Sequence, residues 1–445
     1  MRIQPARKLR GRVRVPGDKS ISHRAAIIAA LAATGGRSRL TNYATSADCA
    51  ATLTCLDALG VTVRRAAGDA LEIEGSGVRL SHAPRAPLDC GNSGTTMRLL
   101  AGLLAGQSFT STLTGDASLR SRPMRRIVEP LLLMGARVMS EGGRAPLRVE
   151  GRSPLNAIRY ALPVASAQVK SCVLFAGLNA GGRTEVVEAR GATRDHTERL
   201  LTLFGADVHT ELKDYEGRPA VPFVSLETPV GLRARDCNIA GDISSAAFFA
   251  AAAALVPGSD VTLAEVGLNP TRTGLLDVLR RLGADVSVTD ERTESGEERG
   301  ELRVRGHDGG LAPVSANANV LGGELIANVI DELPILCVLG TQVEGGLEIR
   351  DAAELRVKET DRIAAMVKNL RALGAEVEEY ADGLGVRGRT PLRGARLESF
   401  GDHRIAMACT VAALIAEGES ELEGAEAVAV SFPEFFTLLE SVTER

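Results

Sequence analysis

Leu279-Arg-Arg-Leu-Gly283-Ala-Asp-Val286 is the short stretch whose reading decides the fold. An apolar helical turn runs into glycine, and a strand-forming residue follows three positions later. Glycine at a helix end takes the left-handed conformation that other residues resist, and the β-branched residue beyond it favours a strand. The same grammar recurs as Leu56-Asp-Ala-Leu-Gly60-Val-Thr-Val63, Leu131-Leu-Leu-Met-Gly135-Ala-Arg-Val138, Leu201-Thr-Leu-Phe-Gly205-Ala-Asp-Val208 and Leu370-Arg-Ala-Leu-Gly374-Ala-Glu-Val377. The intervals are roughly 70–90 residues, the spacing of a repeated α/β unit.

Working outward from these junctions, Ile363, Met366, Val367, Leu370 and Leu373 follow helical spacing, as do Cys49, Leu53, Leu56 and Leu59. A Thr45-x-x-Asp48 cap is expected to open the helix before Gly60, and Pro123 the helix before Gly135, with Pro130 bending it. Five or six α/β units follow, each of three or four strands and two helices. A break at Leu226-Glu-Thr-Pro-Val-Gly231 divides them into two halves of three, expected to meet across a cleft.

The chain has 445 residues, 44% hydrophobic and 24% charged, with a net charge of -4. Such a balance disfavours a surface given over to nucleic acid or to an anionic membrane. Seven scattered cysteines without a C-x-x-C pair read as reduced thiols of a cytoplasmic protein. Six dispersed histidines without H-E-x-x-H make no metal site. The longest apolar run, Ala246–Pro257, is too short to span a bilayer. Only six of the 52 basic residues are lysine, which draws attention to Lys19 and Lys358 inside polar motifs.

Several polar turns each run into an alanine- or leucine-rich helix. Pro16-Gly-Asp-Lys-Ser-Ile-Ser-His-Arg24 offers helix-start N–H groups together with Lys19, Ser20 and Arg24, although it lacks the first glycine of a Walker loop. Cys90-Gly-Asn-Ser-Gly-Thr-Thr-Met-Arg98 is either an anion-binding turn or an ordinary one. Leu119-Arg-Ser-Arg-Pro-Met-Arg-Arg126 is either a binding run or a solvated charged face. Ser166 and Gln168 interrupt an apolar helical surface, and Arg194-Asp-His-Thr-Glu198 follows a turn. Asp331 and Glu332 are wedged between apolar runs. Leu355-Arg-Val-Lys-Glu-Thr-Asp-Arg362 and Gly401-Asp-His-Arg404 again place charge at helix mouths. Cationic helix starts in both halves suit a small, densely anionic substrate set, and carboxylates among them can move protons.

In this order, Gly17-Asp-Lys-Ser-Ile-Ser-His-Arg24, Gly91-Asn-Ser-Gly-Thr95, Arg122-Pro123, Arg356-Val-Lys-Glu-Thr-Asp-Arg362 and Asp402-His-Arg404 resemble the EPSP synthase (3-phosphoshikimate 1-carboxyvinyltransferase) family over essentially the whole chain. The resemblance implies a two-domain enolpyruvyl transferase fold, an inside-out α/β barrel with three βαβαββ units in each domain. Residues 1–19 and 235–445 would form one domain and 20–234 the other, with the active site in the cleft between them. It also implies transfer of the enolpyruvyl group of phosphoenolpyruvate to the 5-hydroxyl of shikimate 3-phosphate, with release of phosphate, in chorismate and aromatic amino-acid biosynthesis. No cofactor, metal, nucleic acid or membrane partner is implied, and a monomer is expected. By resemblance, Lys19, Ser20, Arg24, Ser166, Gln168, Arg194, Asp331 and Lys358 bind shikimate 3-phosphate. Lys19, Gly94, Arg122, Gln168, Arg362 and Arg404 bind phosphoenolpyruvate. Asp331 accepts a proton, and Glu359 or Lys19 donates one.

Three departures from many family members resemble the divergent class II bacterial subgroup. Ser166-Ala167 replaces a serine pair, Glu354 replaces an asparagine, and Val430 precedes Ser431-Phe-Pro433 in place of lysine. Gly94 leaves a gap expected to admit glyphosate. The sister transferase acting on UDP-N-acetylglucosamine has Lys-Asn where Lys19-Ser20 stands and a loop cysteine absent from Gly115–Pro123. An RNA 3′-phosphate cyclase needs a larger basic face, and an inert repeat scaffold predicts unconnected charged turns.

Overall fold

A computed structural model describes residues 1–67, 70–228 and 231–445. Pro229 and Val230 of the expected break lie outside the described residues. The chain divides into two compact units. One comprises Met1–Pro16, Ala240–Thr293 and Glu298–Arg445; the other comprises Gly17–Ile239 and Glu294–Glu297.

The unit built from Gly17–Ile239 contains three four-stranded sheets of one pattern. In the clearest, Leu88–Asp89 runs parallel to Thr110–Thr114, which pairs antiparallel with Arg144–Glu150, and that strand with Arg137–Glu141. Arg159–Ala161, Thr184–Val187, Arg218–Leu226 and Val208–Tyr215 repeat the order. The third sheet is Cys237–Asn238, Arg37–Thr41, Leu71–Glu74 and Val63–Arg65, so its first strand arrives from far along the chain. The other unit holds a five-stranded sheet ordered Asp285–Glu294, Glu297–Arg305, Asp260–Gly267, Lys8–Arg14 and Thr443–Glu444. Beside it are a four-stranded sheet running from Val320–Leu321 to Val377–Tyr380 and a three-stranded one of Arg2–Ile3, Ser420–Glu423 and Arg396–Glu398.

The expected inside-out α/β barrel is not present. Among the described residues every sheet ends on two edge strands and none closes. A barrel requires an unbroken hydrogen-bonded ring of tilted, staggered strands, whereas here each sheet stops after two to five strands. Helices fill the interior instead.

Three inner helices in each unit are buried along nearly their whole length: Lys19–Ala30, Gly94–Ala105 and Ala167–Gly177 in one, Ile243–Leu255, Leu333–Gly340 and His403–Leu414 in the other. Beyond their polar first turns their sequences are largely apolar on every side, the mark of a helix enclosed by protein. Gly102 permits the close packing of two of them, because a Cβ there would stand 2.1 Å from the Cys172 carbonyl oxygen. The outer helices are amphipathic, and Ile363, Met366, Val367, Leu370 and Leu373 are all buried beneath Arg362–Ala372.

All five junction glycines have positive φ: Gly60 83°, Gly135 92°, Gly205 95°, Gly283 82° and Gly374 92°. In each, the glycine N–H and the next N–H turn back onto the last helical turn. At Gly205 the bonds are to Thr202 O at 2.9 Å and from Ala206 to Leu201 O at 2.9 Å. This is the Schellman arrangement. Two helix starts differ from expectation. Ser46, not Thr45, caps Ala47–Ala58, accepting from Cys49 N, while Asp48 turns to Lys19. The next starts at Arg125 rather than Pro123, because Arg122 closes the short helix Ala117–Ser121; Pro130 does lie inside Arg125–Leu133.

Candidate active site

The polar motifs sit where they do because they begin the inner helices. Asp18, Ser93 and Ser166 cap Lys19–Ala30, Gly94–Ala105 and Ala167–Gly177, each side chain accepting from an N–H one turn in. Ser166 thereby satisfies one orphan donor as an acceptor, while its own O–H remains available as a donor.

Around these starts the structure gathers the first group of expected residues. Lys19 Nζ lies 2.9 Å from Asp48 Oδ2. Arg24 is only 2% exposed. It donates to Ser20 O at 2.9 Å, Thr197 Oγ1 at 2.7 Å and Ser171 Oγ at 2.9 Å. Arg194 Nη1 reaches Ser20 Oγ at 3.5 Å. Gln168 is held from both ends, donating to Thr95 Oγ1 at 2.9 Å and accepting from Arg98 Nη1 at 2.6 Å. Arg122, the one buried arginine of its run, donates to Asn92 Oδ1 at 2.5 Å and Ser118 Oγ at 3.2 Å. Gly94 opens its helix beside these cations: a Cβ there would lie 2.8 Å from Arg98 Nη1 and 3.5 Å from Arg122 Nη1.

The second group belongs to the other unit. Asp331 stands two residues before the inner helix Leu333–Gly340, and Arg404 lies in the first turn of His403–Leu414, capped by Asp402. Lys358 and Glu359 fill the link between the 3-10 turn Ala353–Val357 and the helix Arg362–Ala372, which Asp361 caps. Arg362 ties the group together. Its Nε donates to Asp402 Oδ2 at 2.7 Å, its Nη2 to Glu359 Oε2 at 2.6 Å, and its Nη1 lies 3.6 Å from Asp331 Oδ1. Arg404 adds a hydrogen bond to the Asp331 carbonyl at 2.9 Å and an ion pair to its carboxylate at 3.7 Å. The carboxylates expected to accept and donate protons therefore share one guanidinium.

Burial and neighbouring charge set the electrostatics. Burial pulls the Arg24 guanidinium down to about 10, partly offset by Glu198. Burial also lowers Lys358, opposed by Asp331 and Glu354. At Arg362 burial again acts to lower the value, but Asp402, Glu359 and Asp331 overcome it and raise it. His23 is pushed well below its ordinary value by burial and by Lys19 and Arg24, so the neutral ring adds no charge. Among the described residues no group of three or more His, Cys, Asp or Glu side chains is placed to hold a metal ion.

Sequence reasoning gave no site role to Arg98, Asp48 or Asp402, which position Gln168, Lys19 and Arg362. Arg98 and Asp402 lie inside quoted motifs, where their charge beside a helix start was the available signal. Asp48 was read only as part of the helix cap expected at Thr45.

The EPSP synthase (3-phosphoshikimate 1-carboxyvinyltransferase) family model matches residues 3–439. The 3-phosphoshikimate 1-carboxyvinyltransferase of Koribacter versatilis (strain Ellin345) is 50% identical over 445 residues, 100% of this chain and 99% of that protein. That of Geobacter sp. (strain M21) is 47% identical over the same shares. A solved EPSP synthase structure from Acinetobacter baumannii superposes with a TM-score of 0.84 at 40% identity, covering 99% of this chain and 98% of that one. The chain thus belongs to the EPSP synthase (3-phosphoshikimate 1-carboxyvinyltransferase) family, and it is an enzyme with that family's enolpyruvyl transfer activity in the shikimate pathway.

Proposed function

We propose that the two groups of residues serve a single addition–elimination reaction. Phosphoenolpyruvate and shikimate 3-phosphate bring roughly five negative charges to it at neutral pH. Lys19, Arg24, Arg122 and Arg194 from one unit and Lys358, Arg362 and Arg404 from the other answer that charge. Lys19, Ser20, Arg24, Ser166, Gln168, Arg194, Asp331 and Lys358 bind shikimate 3-phosphate. Lys19, Gly94, Arg122, Gln168, Arg362 and Arg404 bind phosphoenolpyruvate.

Asp331 takes the proton of the 5-hydroxyl as that oxygen bonds to C2 of phosphoenolpyruvate. Glu359, with Lys19 as the alternative donor, protonates C3, and a tetrahedral adduct forms. A proton then leaves C3, the C2–O bond to phosphate breaks and the enol ether double bond is restored. The observation that carries this assignment is Arg362, hydrogen-bonded to Glu359 at 2.6 Å and 3.6 Å from Asp331. One fixed cation thus orients both carboxylates. Replacing Asp331 with alanine is expected to lower turnover by roughly 10²–10⁴-fold, the usual contribution of a general acid–base group. Near-wild-type turnover of that variant, followed by phosphate release, would remove Asp331 from the role.

The finer placement within the family is the class II subgroup, on Ser166-Ala167, Glu354 and Val430-Ser-Phe-Pro433. Arg194, 3.5 Å from Ser20 Oγ, supports Ser166 at the phosphate of shikimate 3-phosphate in this reading.

A further inference from the structure

Behind Arg24 lies a polar cluster that the reaction does not touch. Lys170, Ser171, Glu188, Thr193, Thr197 and Glu198 are all buried. An ammonium and two carboxylates withdrawn from water are costly unless closely paired, and apolar side chains fill such a space with no such cost. Burial works against the Lys170 ammonium, but Glu198 and Glu188 overcome it and raise its pKa.

The bonds of this cluster lead to two residues assigned above to shikimate 3-phosphate. Thr197 and Ser171 receive Arg24 Nε and Nη2 at 2.7 and 2.9 Å, and their own oxygens are 2.6 Å apart. With Ser20 O accepting from Nη1 at 2.9 Å, three of the five guanidinium N–H groups are bound to protein. Their acceptors come from three helices and fix the plane, leaving one N–H on each terminal nitrogen for a substrate oxygen. Glu198, next to Thr197, pairs with Lys170 Nζ at 2.6 Å, and Lys170 pairs with Glu188 at 3.0 Å. Glu188 accepts from Thr193 N at 2.9 Å and from the Thr193 hydroxyl. Thr193 immediately precedes Arg194.

We propose that Thr197 and the Lys170–Glu188–Glu198 group are positioning residues that aim Arg24 and Arg194 at the phosphorylated acceptor, and so set its affinity without entering the chemistry. The inference rests on the reading of Arg24 and Arg194 as ligands of shikimate 3-phosphate. Thr197→Val keeps the side-chain shape and deletes the hydroxyl; Thr197→Ser keeps the hydroxyl.

With the purified enzyme, Thr197→Val is expected to raise both KM and the calorimetric Kd for shikimate 3-phosphate by about tenfold, the effect of one lost hydrogen bond to a charged group. Its kcat and its KM for phosphoenolpyruvate should stay within about twofold of wild type, and Thr197→Ser should restore affinity. If Thr197→Val does not fold, Ser171→Ala, which removes the Nη2 acceptor, carries the same expectation. Unchanged affinity in the hydroxyl-deleting variant overturns the proposal. So does a parallel fall in kcat, both affinities and thermal stability, which marks a merely structural role. Arg24→Gln, measured alongside, separates the two possible failures. Unaltered shikimate 3-phosphate affinity there removes the ligand role of Arg24 and this proposal with it, whereas lost affinity there beside an unaffected Thr197→Val removes the positioning alone.

Discussion

Lys358 shows how one residue's surroundings become a measurable pH response. Burial lowers its pKa below the ordinary lysine value of 10.5, against the pull of Asp331 and Glu354. A cation needed by an anionic substrate is lost as pH rises through its pKa, so the KM for shikimate 3-phosphate should begin to rise below pH 10.5. Lys358→Arg, which stays protonated, should move that alkaline limb upward; a limb unmoved by the substitution would show that another group titrates. At Gly94 the absent Cβ matters most. Adding it in Gly94→Ala displaces the Arg98 guanidinium from 2.8 Å, and Arg98 holds Gln168. The wild-type enzyme is expected to be inhibited by glyphosate, and Gly94→Ala to raise the inhibition constant by about tenfold, a shift of roughly 1.4 kcal/mol. Equal inhibition constants would count against the gap. Charge at helix starts was readable from the chain, which is why the turns of Lys19 and Arg404 stood out, whereas roles for Arg122 and Glu359 came only from the family resemblance. Asp48 was read only as part of a helix cap and Thr197 had no reading of its own, because their partners Lys19 and Arg24 lie 29 and 173 residues away in sequence and only folding brings them together.

At the scale of elements, the sequence was most informative where backbone conformation leaves few choices. Positive φ at five glycines required a residue without a Cβ, and those junctions were legible at once. The cap at Ser46 was not, since Thr45, Ser46 and Asp48 are all good caps and the choice depends on Lys19 drawing Asp48 away. Close packing of inner helices gives a stability test. Gly102→Ala places a methyl group 2.1 Å from the Cys172 carbonyl oxygen, and overpacking of this kind costs about 1–3 kcal/mol. Chemical denaturation should show a lower midpoint with an unchanged slope; an undiminished midpoint would mean the two helices part freely. Lys170→Met leaves Glu188 and Glu198 without their shared cation, and is expected to cost about 3–5 kcal/mol by the same measurement.

For the whole molecule, repetition was legible but closure was not. The repeated junctions announce α/β units, yet no junction carries the strand-to-strand hydrogen bonding that decides whether sheets join into a ring, and here they remain open. Nor does local pattern reveal that Cys237–Asn238 returns to complete a sheet with Arg37–Thr41. Under the proposed function, cationic helix starts in both units answer the charge of two phosphorylated acids. Because these contacts are electrostatic, the KM values for both substrates should rise with ionic strength, and salt-independent values would contradict that basis. The most direct test is phosphate release from phosphoenolpyruvate by the purified enzyme, with shikimate 3-phosphate or UDP-N-acetylglucosamine as acceptor. Release with shikimate 3-phosphate alone, matched one for one by the enolpyruvyl product, is the predicted result; release with the nucleotide sugar, or none with shikimate 3-phosphate, would contradict the account.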